Sequence, residues 1–268
     1  MPPAIKTLKV LDVVPFGQTD PKGKFFALRL EHPAWSSWNP GQFLMIRPFS
    51  FEKELVWGRP LSICHMTSRH LICFVKIEGR GTDRISNLRP GDEILVWGPL
   101  GNYFAVETDV PTLLLAGGMG IAPFVGYVNR HPQPWNASML FAHRDPLDCY
   151  PVDSLNERIT VDSLRDQSDG DLDNLIFALQ ERIRDCAEQN GLVLACGPKP
   201  FLKTIREISA QTGARTQLSL ENKMACGVGA CLGCVCKVND KWPVAEKRGS
   251  LVQTCVAGPV FWADQIEL

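Results

Sequence analysis

Four of the chain's ten cysteines lie at spacings suited to binding a redox cluster. Cys226 and Cys231 are separated by four residues, Cys231 and Cys234 by two, and Cys234 and Cys255 by twenty. This is the spacing of plant-type [2Fe–2S] proteins, in which four thiolates hold two irons. Glycines and alanines between the cysteines let the backbone approach the cluster sulfurs without Cβ clashes. The spacing therefore predicts a [2Fe–2S] cluster.

Two other interpretations of these cysteines stay open. Structural zinc usually takes paired C-x2-C motifs, and this segment has one such pair. The cysteines could also be unliganded packing residues. Cys236 lies outside the cluster pattern and is interpreted as a packing residue or a spare thiol.

A second group of residues, in the first third of the chain, suits phosphate and ring binding. In the stretch "RPLS", Arg59 can pair with a pyrophosphate, and the Ser62 hydroxyl can hydrogen-bond to a flavin ring. Gly81 and Thr82 can offer backbone amides and a hydroxyl to the same phosphates, and Lys76 adds positive charge. Taken alone, "RPLS" also fits a surface arginine beside a turn.

A third group follows two apolar runs further along the chain. Gly117, Gly118 and Gly120 form a glycine-rich turn in "AGGMGIAP", which predicts a phosphate-binding turn without the strict G-x-G-x-x-G spacing. Cys196 and Gly197 end the run "GLVLACG", where Cys196 could face a nicotinamide. A tight strand-to-helix turn and a small buried residue are the alternative interpretations.

The elements that must position these residues fall into three blocks. Residues 5–105 contain short apolar runs separated by turn signals such as "NPG" and "RPGD", which predicts a small antiparallel barrel. From about residue 110, buried runs alternate with helical periodicity, which predicts a parallel sheet with helices on both faces. No periodic pattern persists from Leu218 onward. We therefore expect a β-barrel domain at 1–107, an α/β nucleotide domain at 108–217 and a cluster module at 218–268.

Composition excludes several classes of protein. The formal net charge of −1 argues against a nucleic-acid binder or a basic membrane-surface protein. No run of 18 apolar residues predicts a membrane-spanning helix, and the N-terminus lacks the features of a signal peptide. We therefore expect a cytoplasmic protein. In a reducing compartment the cysteines should hold metal or do redox chemistry rather than form disulfides.

The order of these motifs along the chain resembles that of a known protein family. "RPLS", "GRGT", "AGGMGIAP", "CGP", "ENKMACGVGACLGCVC" and "CVAGPVF" follow one another along nearly the whole chain. In this order they resemble the electron-transfer subunit of class B dihydroorotate dehydrogenase, within the ferredoxin–NADP reductase superfamily. The two cysteine-containing stretches at the end are the most specific parts.

The resemblance implies FAD on the barrel, a [2Fe–2S] cluster and NAD(H) as the substrate nucleotide, with NADP left open. The family's FAD motifs match Arg59, Pro60, Leu61, Ser62, Phe74, Val75, Lys76, Gly81 and Thr82. The cluster ligands match Cys226, Cys231, Cys234 and Cys255.

The resemblance also implies a partner, an FMN-containing dihydroorotate dehydrogenase catalytic subunit, in a heterotetramer of two plus two chains. No general acid or base is expected. Rival interpretations are a reductase subunit of a ferredoxin–NADP transhydrogenase or sulfhydrogenase, and a non-enzymatic redox carrier or sensor.

One segment departs from the family pattern: relatives carry an acidic loop of the kind T-D-D-G-S-x-G where this chain has "ITVDSLRDQSDGDLDN". That change leaves NAD and NADP both open. Arg144 is either a contact for a 2′-phosphate or an ordinary surface residue.

Overall fold

The structure is a computed structural model that describes residues 4–18, 23–167, 169–243 and 249–268. Three sheets contain the strands of these residues. These elements bring most of the predicted site residues to one cleft and one loop.

The first sheet is antiparallel throughout and has the strand order β4-β3-β7-β1-β2-β6-β5. Its strands are β1 (Ala4–Phe16), β2 (Phe25–Glu31), β3 (Phe43–Pro48), β4 (Arg59–Ser62), β5 (His65–Met66), β6 (His70–Lys76) and β7 (Glu93–Leu100), with helix α1 (Arg80–Ser86) before β7. The two outermost strands, β4 and β5, are separated in the chain by Ile63 and Cys64 alone. The sheet must therefore curve back on itself, and the predicted antiparallel barrel is confirmed.

The barrel encloses its own core because its strands alternate between inward apolar and outward residues. Along β7, buried side chains alternate with exposed or half-buried ones. The inward residues include Leu28, Ile46 and Val96, which are fully buried with Trp38.

The second sheet has the order β10-β9-β8-β11-β12-β15. Its strands are β8 (Thr112–Gly117), β9 (Ala137–His143), β10 (Thr160–Arg165), β11 (Leu192–Cys196), β12 (Arg215–Ser219) and β15 (Val260–Trp262). The helices among them are α2 (Ala122–Arg130), α3 (Asp153–Asn156), α4 (Asp169–Glu188) and α5 (Lys199–Thr212). The first five strands are parallel, and β8 and β11 are buried along their whole length because apolar clusters cover both faces of the sheet.

The third sheet is small and has the order β14-β13-β16. It consists of β13 (Val235–Val238), β14 (Leu251–Gln253) and β16 (Ile266–Glu267), with the short helix α6 (Thr254–Ala257) after β14. Four 3-10 helices complete the described elements, at Phe49–Phe51, Gly118–Ile121, Pro134–Asn136 and Leu147–Cys149.

The end of the chain returns to the second sheet. Strand β15 pairs antiparallel with β12, through Leu218 and Phe261 among others. The nucleotide sheet is therefore mixed rather than wholly parallel as the sequence predicted. The strand "VFW" escaped prediction because three residues are too few to show periodicity, and its partner lies more than forty residues earlier.

The helix predictions agree with the structure. Helix α2 begins at Ala122 with Pro123 in its first turn, and α5 ends before Gly213, whose φ of 74° closes the helix in the left-handed region. Within the described ranges, no helix is both long enough and apolar enough to cross a membrane.

Candidate functional site

A cleft of about 600 Å³ collects most of the predicted flavin residues. Strands β4 and β6 and the carboxyl end of β11 line it. The predicted residues that line the cleft are Arg59, Pro60, Leu61, Ser62, Phe74, Val75, Lys76, Thr82 and Cys196. Its volume is within the range of ordinary small-molecule sites.

Arg59 lies against Gly81, and the glycine is what allows this. A Cβ built on Gly81 would lie 2.8 Å from the Arg59 guanidinium carbon, which is closer than side chains approach. The guanidinium donates through Nη1 to the Trp57 carbonyl at 2.8 Å and lies 5.4 Å from the Phe51 ring centroid. These contacts hold a half-buried cation at the cleft.

Two other predicted polar residues, Thr82 and Lys76, have partners within the chain. The Thr82 hydroxyl donates to the Gly79 carbonyl at 3.1 Å and accepts from the Glu78 amide at 2.9 Å, so it closes the first turn of α1. Lys76 Nζ pairs with Asp145 Oδ2 at 2.8 Å, and both side chains are about a quarter exposed, 26% and 29%. Because Asp145 follows β9, this ion pair ties the barrel to the second sheet.

Phe74 and Val75, on β6, line the cleft and also pack in two separate hydrophobic cores. Phe74 packs edge-on to Phe16 at 5.3 Å and faces Tyr150 in the core shared with the second sheet. Val75 points into the barrel core and is 2% exposed.

The glycine turn after β8 packs directly on the end of β11. A Cβ on Gly120 would overlap the Cys196 carbonyl and lie 2.7 Å from the Gly197 nitrogen. A Cβ on Gly117 would lie 3.0 Å from the Pro198 ring. Gly118 has φ 53° and open space beside it. The two predicted nucleotide motifs therefore meet at one edge of the sheet.

Cys196 is a buried, neutral thiol at this edge. Burial, together with the nearby charge of Glu221, raises the pKa of Cys196 far above its ordinary value. Glu221 also lines the cleft, and burial together with the charge of Glu78 raises the pKa of its carboxyl. The site therefore offers an uncharged sulfur rather than a nucleophilic thiolate.

The cysteine loop wraps its amides toward the thiols. The amides of Val228 and Cys231 each donate to Cys226 Sγ at 3.4 Å, and the Gly229 amide donates to Cys255 Sγ at 3.2 Å. The Cys255 amide donates to Cys234 Sγ at 3.4 Å. Amide donors of this kind stabilise thiolate over thiol.

The pKa values of these thiols respond to the same geometry. Burial raises the pKa of Cys226, but amide donors outweigh it, and the result is a lowered pKa of about 7. Burial and the adjacent Cys234 raise the pKa of Cys255 to about 12. The side chains interact in two pairs, Cys226 with Cys231 and Cys234 with Cys255.

This donor set suits a two-iron cluster, in which each iron takes two protein ligands. In the part of the chain that the structure describes, no three His, Cys, Asp or Glu side chains surround one point closely enough to hold a single metal ion. Cys236 stands apart on β13, where it is half-buried against the apolar core of the second sheet.

The loop is held in place by the barrel. Gly227 has φ 72°, and a Cβ there would lie 2.5 Å from Met45 Cγ. The Trp97 indole donates to the Cys226 carbonyl at 2.9 Å. Cys234 and Cys255 share a small buried cluster with Met45 and its neighbours on the barrel.

The flavin-type cleft and the cysteine loop share a wall. Met224 and Ala225, which immediately precede Cys226, line the cleft. Phe43 lines it as well, and the same ring packs in the buried cluster that contains Cys234 and Cys255. Groups bound in the cleft and in the loop would therefore be neighbours.

Known proteins are similar both to the cysteine segment and to most of the chain. A family model described as the iron-sulfur cluster binding domain of dihydroorotate dehydrogenase B matches residues 221–267. The electron transfer subunit of dihydroorotate dehydrogenase B (NAD(+)) from Caldanaerobacter subterraneus subsp. tengcongensis is 33% identical over 228 residues, which cover 85% of this chain and 87% of that protein. The subunit of the same name from Listeria monocytogenes is 32% identical over 258 residues, covering 94% and 96%. The chain belongs to this family of electron transfer subunits.

Solved structures agree on the fold. A protein described as the NADH-dependent reduced ferredoxin-NADP oxidoreductase superposes with a TM-score of 0.78 at 23% identity, over 97% of this chain and 89% of that one. Ferredoxin-NADP+ reductase from Plasmodium falciparum gives 0.64 at 16%, over 77% and 90%. At these identities the likeness establishes a reductase-like fold alone.

Membership of the dihydroorotate dehydrogenase B family decides between interpretations that the spacing left open. The match over residues 221–267 makes the cysteine segment an iron–sulfur domain rather than a zinc site. The reductase-like fold agrees with the predicted fold class of an antiparallel barrel next to an α/β domain.

Sequence reasoning missed several residues of the cleft. Trp57, Ser219, Glu221 and Met224 all line it. Trp57 precedes the predicted Arg59 by two residues, so its position beside "RPLS" was a usable signal. Ser219 and Glu221 lie at and beyond the end of β12, a strand end at the same sheet edge as Cys196, which also marks them.

Proposed function

We propose that this chain is the electron transfer subunit of a dihydroorotate dehydrogenase, linking a nicotinamide nucleotide to a catalytic partner through FAD and a [2Fe–2S] cluster. One observation carries the proposal: Met224, Ala225 and Phe43 form a wall common to the cleft and the cysteine loop. An arrangement of this kind keeps two redox groups within electron-transfer reach, and it gives each its own protein surroundings.

Three units supply these parts in the proposal: a FAD barrel at 1–107, a nucleotide domain at 108–217 and a cluster module at 218–268. Arg59 binds the pyrophosphate of FAD, with the backbone of Gly81 and Thr82 beside it. Ser62 orients the ring by hydrogen bonding, and Pro60, Leu61, Phe74 and Val75 supply apolar contact. Lys76 fixes the barrel against the second sheet through Asp145.

The nicotinamide nucleotide binds at the sheet edge formed by two turns. Gly117, Gly118 and Gly120 give its phosphates close access to the backbone, and Cys196 and Gly197 present a flat, uncharged surface to the nicotinamide. The neutral state of the buried Cys196 keeps a competing nucleophile away from the reactive ring.

Cys226, Cys231, Cys234 and Cys255 hold the cluster, and the loop amides stabilise their thiolates. When bound, the flavin exchanges a hydride or single electrons and the cluster exchanges one electron at a time, which is the chemistry the cofactors supply. In the net reaction dihydroorotate loses two electrons and two protons to become orotate. The nucleotide gains two electrons and one proton, and the other proton goes to solvent.

The partner is a dihydroorotate dehydrogenase catalytic subunit carrying FMN, in an assembly of two plus two chains. The exposed apolar side chains around the loop support such an interface: Val228, Leu232, Val235, Leu251 and Val256 are 43–55% exposed. We call these five residues the apolar cluster face. Apolar surface concentrated in this way is typical of a binding site.

We place the complex in the cytoplasm. None of the ten cysteines is in a disulfide, which suits a reducing compartment.

Co-expression tests the proposal. The chain is produced with and without the dihydroorotate dehydrogenase catalytic subunit of the same genome, and both NAD and NADP are offered as acceptors of electrons from dihydroorotate. We expect co-purification and dihydroorotate-dependent nucleotide reduction in the joint preparation only. Separate elution of the two chains with no turnover on either nucleotide would contradict the proposal and favour a reductase serving another acceptor.

A further inference from the structure

Two exposed arginines stand at neighbouring ends of parallel strands. Arg144 directly follows β9, and Arg165 is the last residue of β10. The strand register pairs Arg165 with His143, which places the two arginines side by side at the carboxyl edge of the sheet. Arg165 Nε donates to the Arg144 carbonyl at 3.4 Å, so the residues are in direct contact.

The corner carries charges of both signs. Three acidic residues lie within three positions of either arginine and each has a cationic partner, while the carboxylate of a fourth, Asp171, accepts a hydrogen bond from the Gln167 amide at 3.0 Å. Asp145 pairs with Lys76, Asp162 pairs with Arg182, and Asp166 pairs with Arg144 at 2.8 Å.

Arg165 has a different kind of partner. Among the described residues its hydrogen bonds go to neutral oxygens, the Arg144 carbonyl and the Gln167 amide oxygen, when that amide is turned toward it, at 3.0 Å. Arg144 is 81% exposed despite its ion pair. Arg144 therefore contacts a carboxylate, whereas Arg165 hydrogen-bonds to neutral groups.

The corner lies within reach of the nucleotide site. Chain order reverses between β8 and β11, and ligands of open α/β sheets bind at such a switch point, outside the carboxyl ends of the strands. Gly117 ends β8 there, β9 is the next strand and β10 the one after. Two strand spacings amount to roughly 10 Å. A dinucleotide with its pyrophosphate on the glycine turn can therefore extend its adenosine over Arg144 and Arg165.

The type of residue at this position determines whether a site recognises NAD or NADP. A carboxylate accepts a hydrogen bond from the free 2′-hydroxyl of NAD, whereas arginine accommodates the 2′-phosphate of NADP. At this place, the end of β10, the chain has Leu164-Arg165-Asp166-Gln167.

We propose that Arg165, together with Arg144, forms a 2′-phosphate site, so that this chain prefers NADP(H) to NAD(H), unlike the relatives named for NAD(+). The inference rests on the nucleotide site of the proposed function. The guanidinium fork suits a phosphate because it can donate two parallel hydrogen bonds to it.

The direct test is a calorimetric titration of the purified full-length holoprotein with 2′,5′-ADP and, separately, with 5′-ADP. We expect 2′,5′-ADP to bind at least tenfold more tightly, because hydrogen bonds to charged groups are worth about that much in affinity. Arg165→Gln should abolish the difference, and Arg165→Lys should restore part of it. Arg182→Gln is the matched control, since it breaks another exposed ion pair of β10 and should leave the ratio unchanged. Equal affinity for the two ligands, or a ratio unchanged in Arg165→Gln, would overturn the inference and leave Arg144–Asp166 as an ordinary surface ion pair.

Flavin reduction by NADPH and NADH gives a second readout. We expect the lower KM for NADPH, with the preference reversed in Arg165→Asp. A lower KM for NADH in the unaltered protein would contradict the inference while leaving the proposed function intact. If neither nucleotide reduces the flavin, the proposed function fails, and the 2′,5′-ADP titration still decides whether the phosphate site exists.

Discussion

At the scale of single residues, Arg59 depends on the absence of a side chain at Gly81. The guanidinium occupies the space that any Cβ at position 81 would take. Its hydrogen bonds to the Trp57 and Gly58 carbonyls fix its direction but leave its charge unneutralised by them. This arrangement is suited to a phosphate partner, because a preorganised cation loses little entropy when it binds.

Arg59→Ala should weaken flavin binding. Loss of a charged hydrogen bond costs on the order of 1.5–3 kcal/mol, or roughly tenfold or more in affinity. The flavin dissociation constant measures this, and heat release followed by chromatography identifies the flavin, which we expect to be FAD. Arg80→Ala is the control, because Arg80 pairs with Glu54 at 2.9 Å on the outside of the barrel. Release of FMN, or equal flavin retention in Arg59→Ala and Arg80→Ala, would contradict the assignment.

The cysteines divide by environment as well as by spacing. Cys231→Ser and Cys234→Ser should each remove the visible absorption of the cluster and lower its iron and acid-labile sulfide from two of each per chain. Cys236→Ser should leave the cluster largely intact, because Cys236 lies on β13 and packs against the second sheet. Loss of the cluster in Cys236→Ser with retention in Cys255→Ser would show that the ligand set is wrong.

At the scale of elements, the glycine turn after β8 determines how closely the carboxyl ends of β8 and β11 can pack. Gly120 lies against the Cys196 carbonyl with no room for a methyl group. Because the obstruction is backbone rather than a flexible side chain, neither strand end can yield without moving the nucleotide site.

Gly120→Ala should therefore destabilise the second sheet by roughly 1–3 kcal/mol, as overpacking does. It should also raise KM for the nucleotide more than it changes flavin content. Thermal unfolding should show a lower melting temperature, by about 2–4 °C per kcal/mol. Gly170→Ala, near the start of α4 with open space around it, is the matched control and should be neutral. A melting temperature for Gly120→Ala equal to that of the control would refute the close packing of the two turns.

At the scale of the whole molecule, long-range contacts join the three units. The Lys76–Asp145 ion pair connects barrel and second sheet, and Trp97 connects barrel and cysteine loop. Asn102 hydrogen-bonds to the Ala257 and Val260 carbonyls and so holds the end of the chain to the barrel. The apolar cluster face remains on the outside of this assembly.

Leu232→Glu should disrupt the complex with the catalytic subunit without loss of the cluster. A carboxylate in the middle of an apolar interface must be desolvated on binding, which costs several kcal/mol. Residue 232 has φ 57°, a strain that leucine and glutamate share, so the substitution changes chemistry rather than backbone preference. Size-exclusion chromatography of the co-expressed chains is the measurement. Phe177→Glu, on an exposed part of α4, is the control and should co-purify normally. Intact complexes with Leu232→Glu would place the interface elsewhere.

Much of this protein was readable from local patterns in the sequence. Cluster spacing, turn glycines and the change from short strands to alternating strands and helices depend on residues close together in the chain. The barrel, the parallel strands, α2 and α5 followed from those patterns because periodicity reflects which side of one element is buried.

Tertiary structure alone decided which distant residues meet. It placed Gly81 beneath Arg59, paired Lys76 with Asp145, added β15 to β12 and made Met224 and Ala225 a wall of the cleft. It also set Arg165 beside Arg144, which the sequence separates by twenty residues. None of these contacts leaves a local signature, because each depends on how separately formed elements pack against one another.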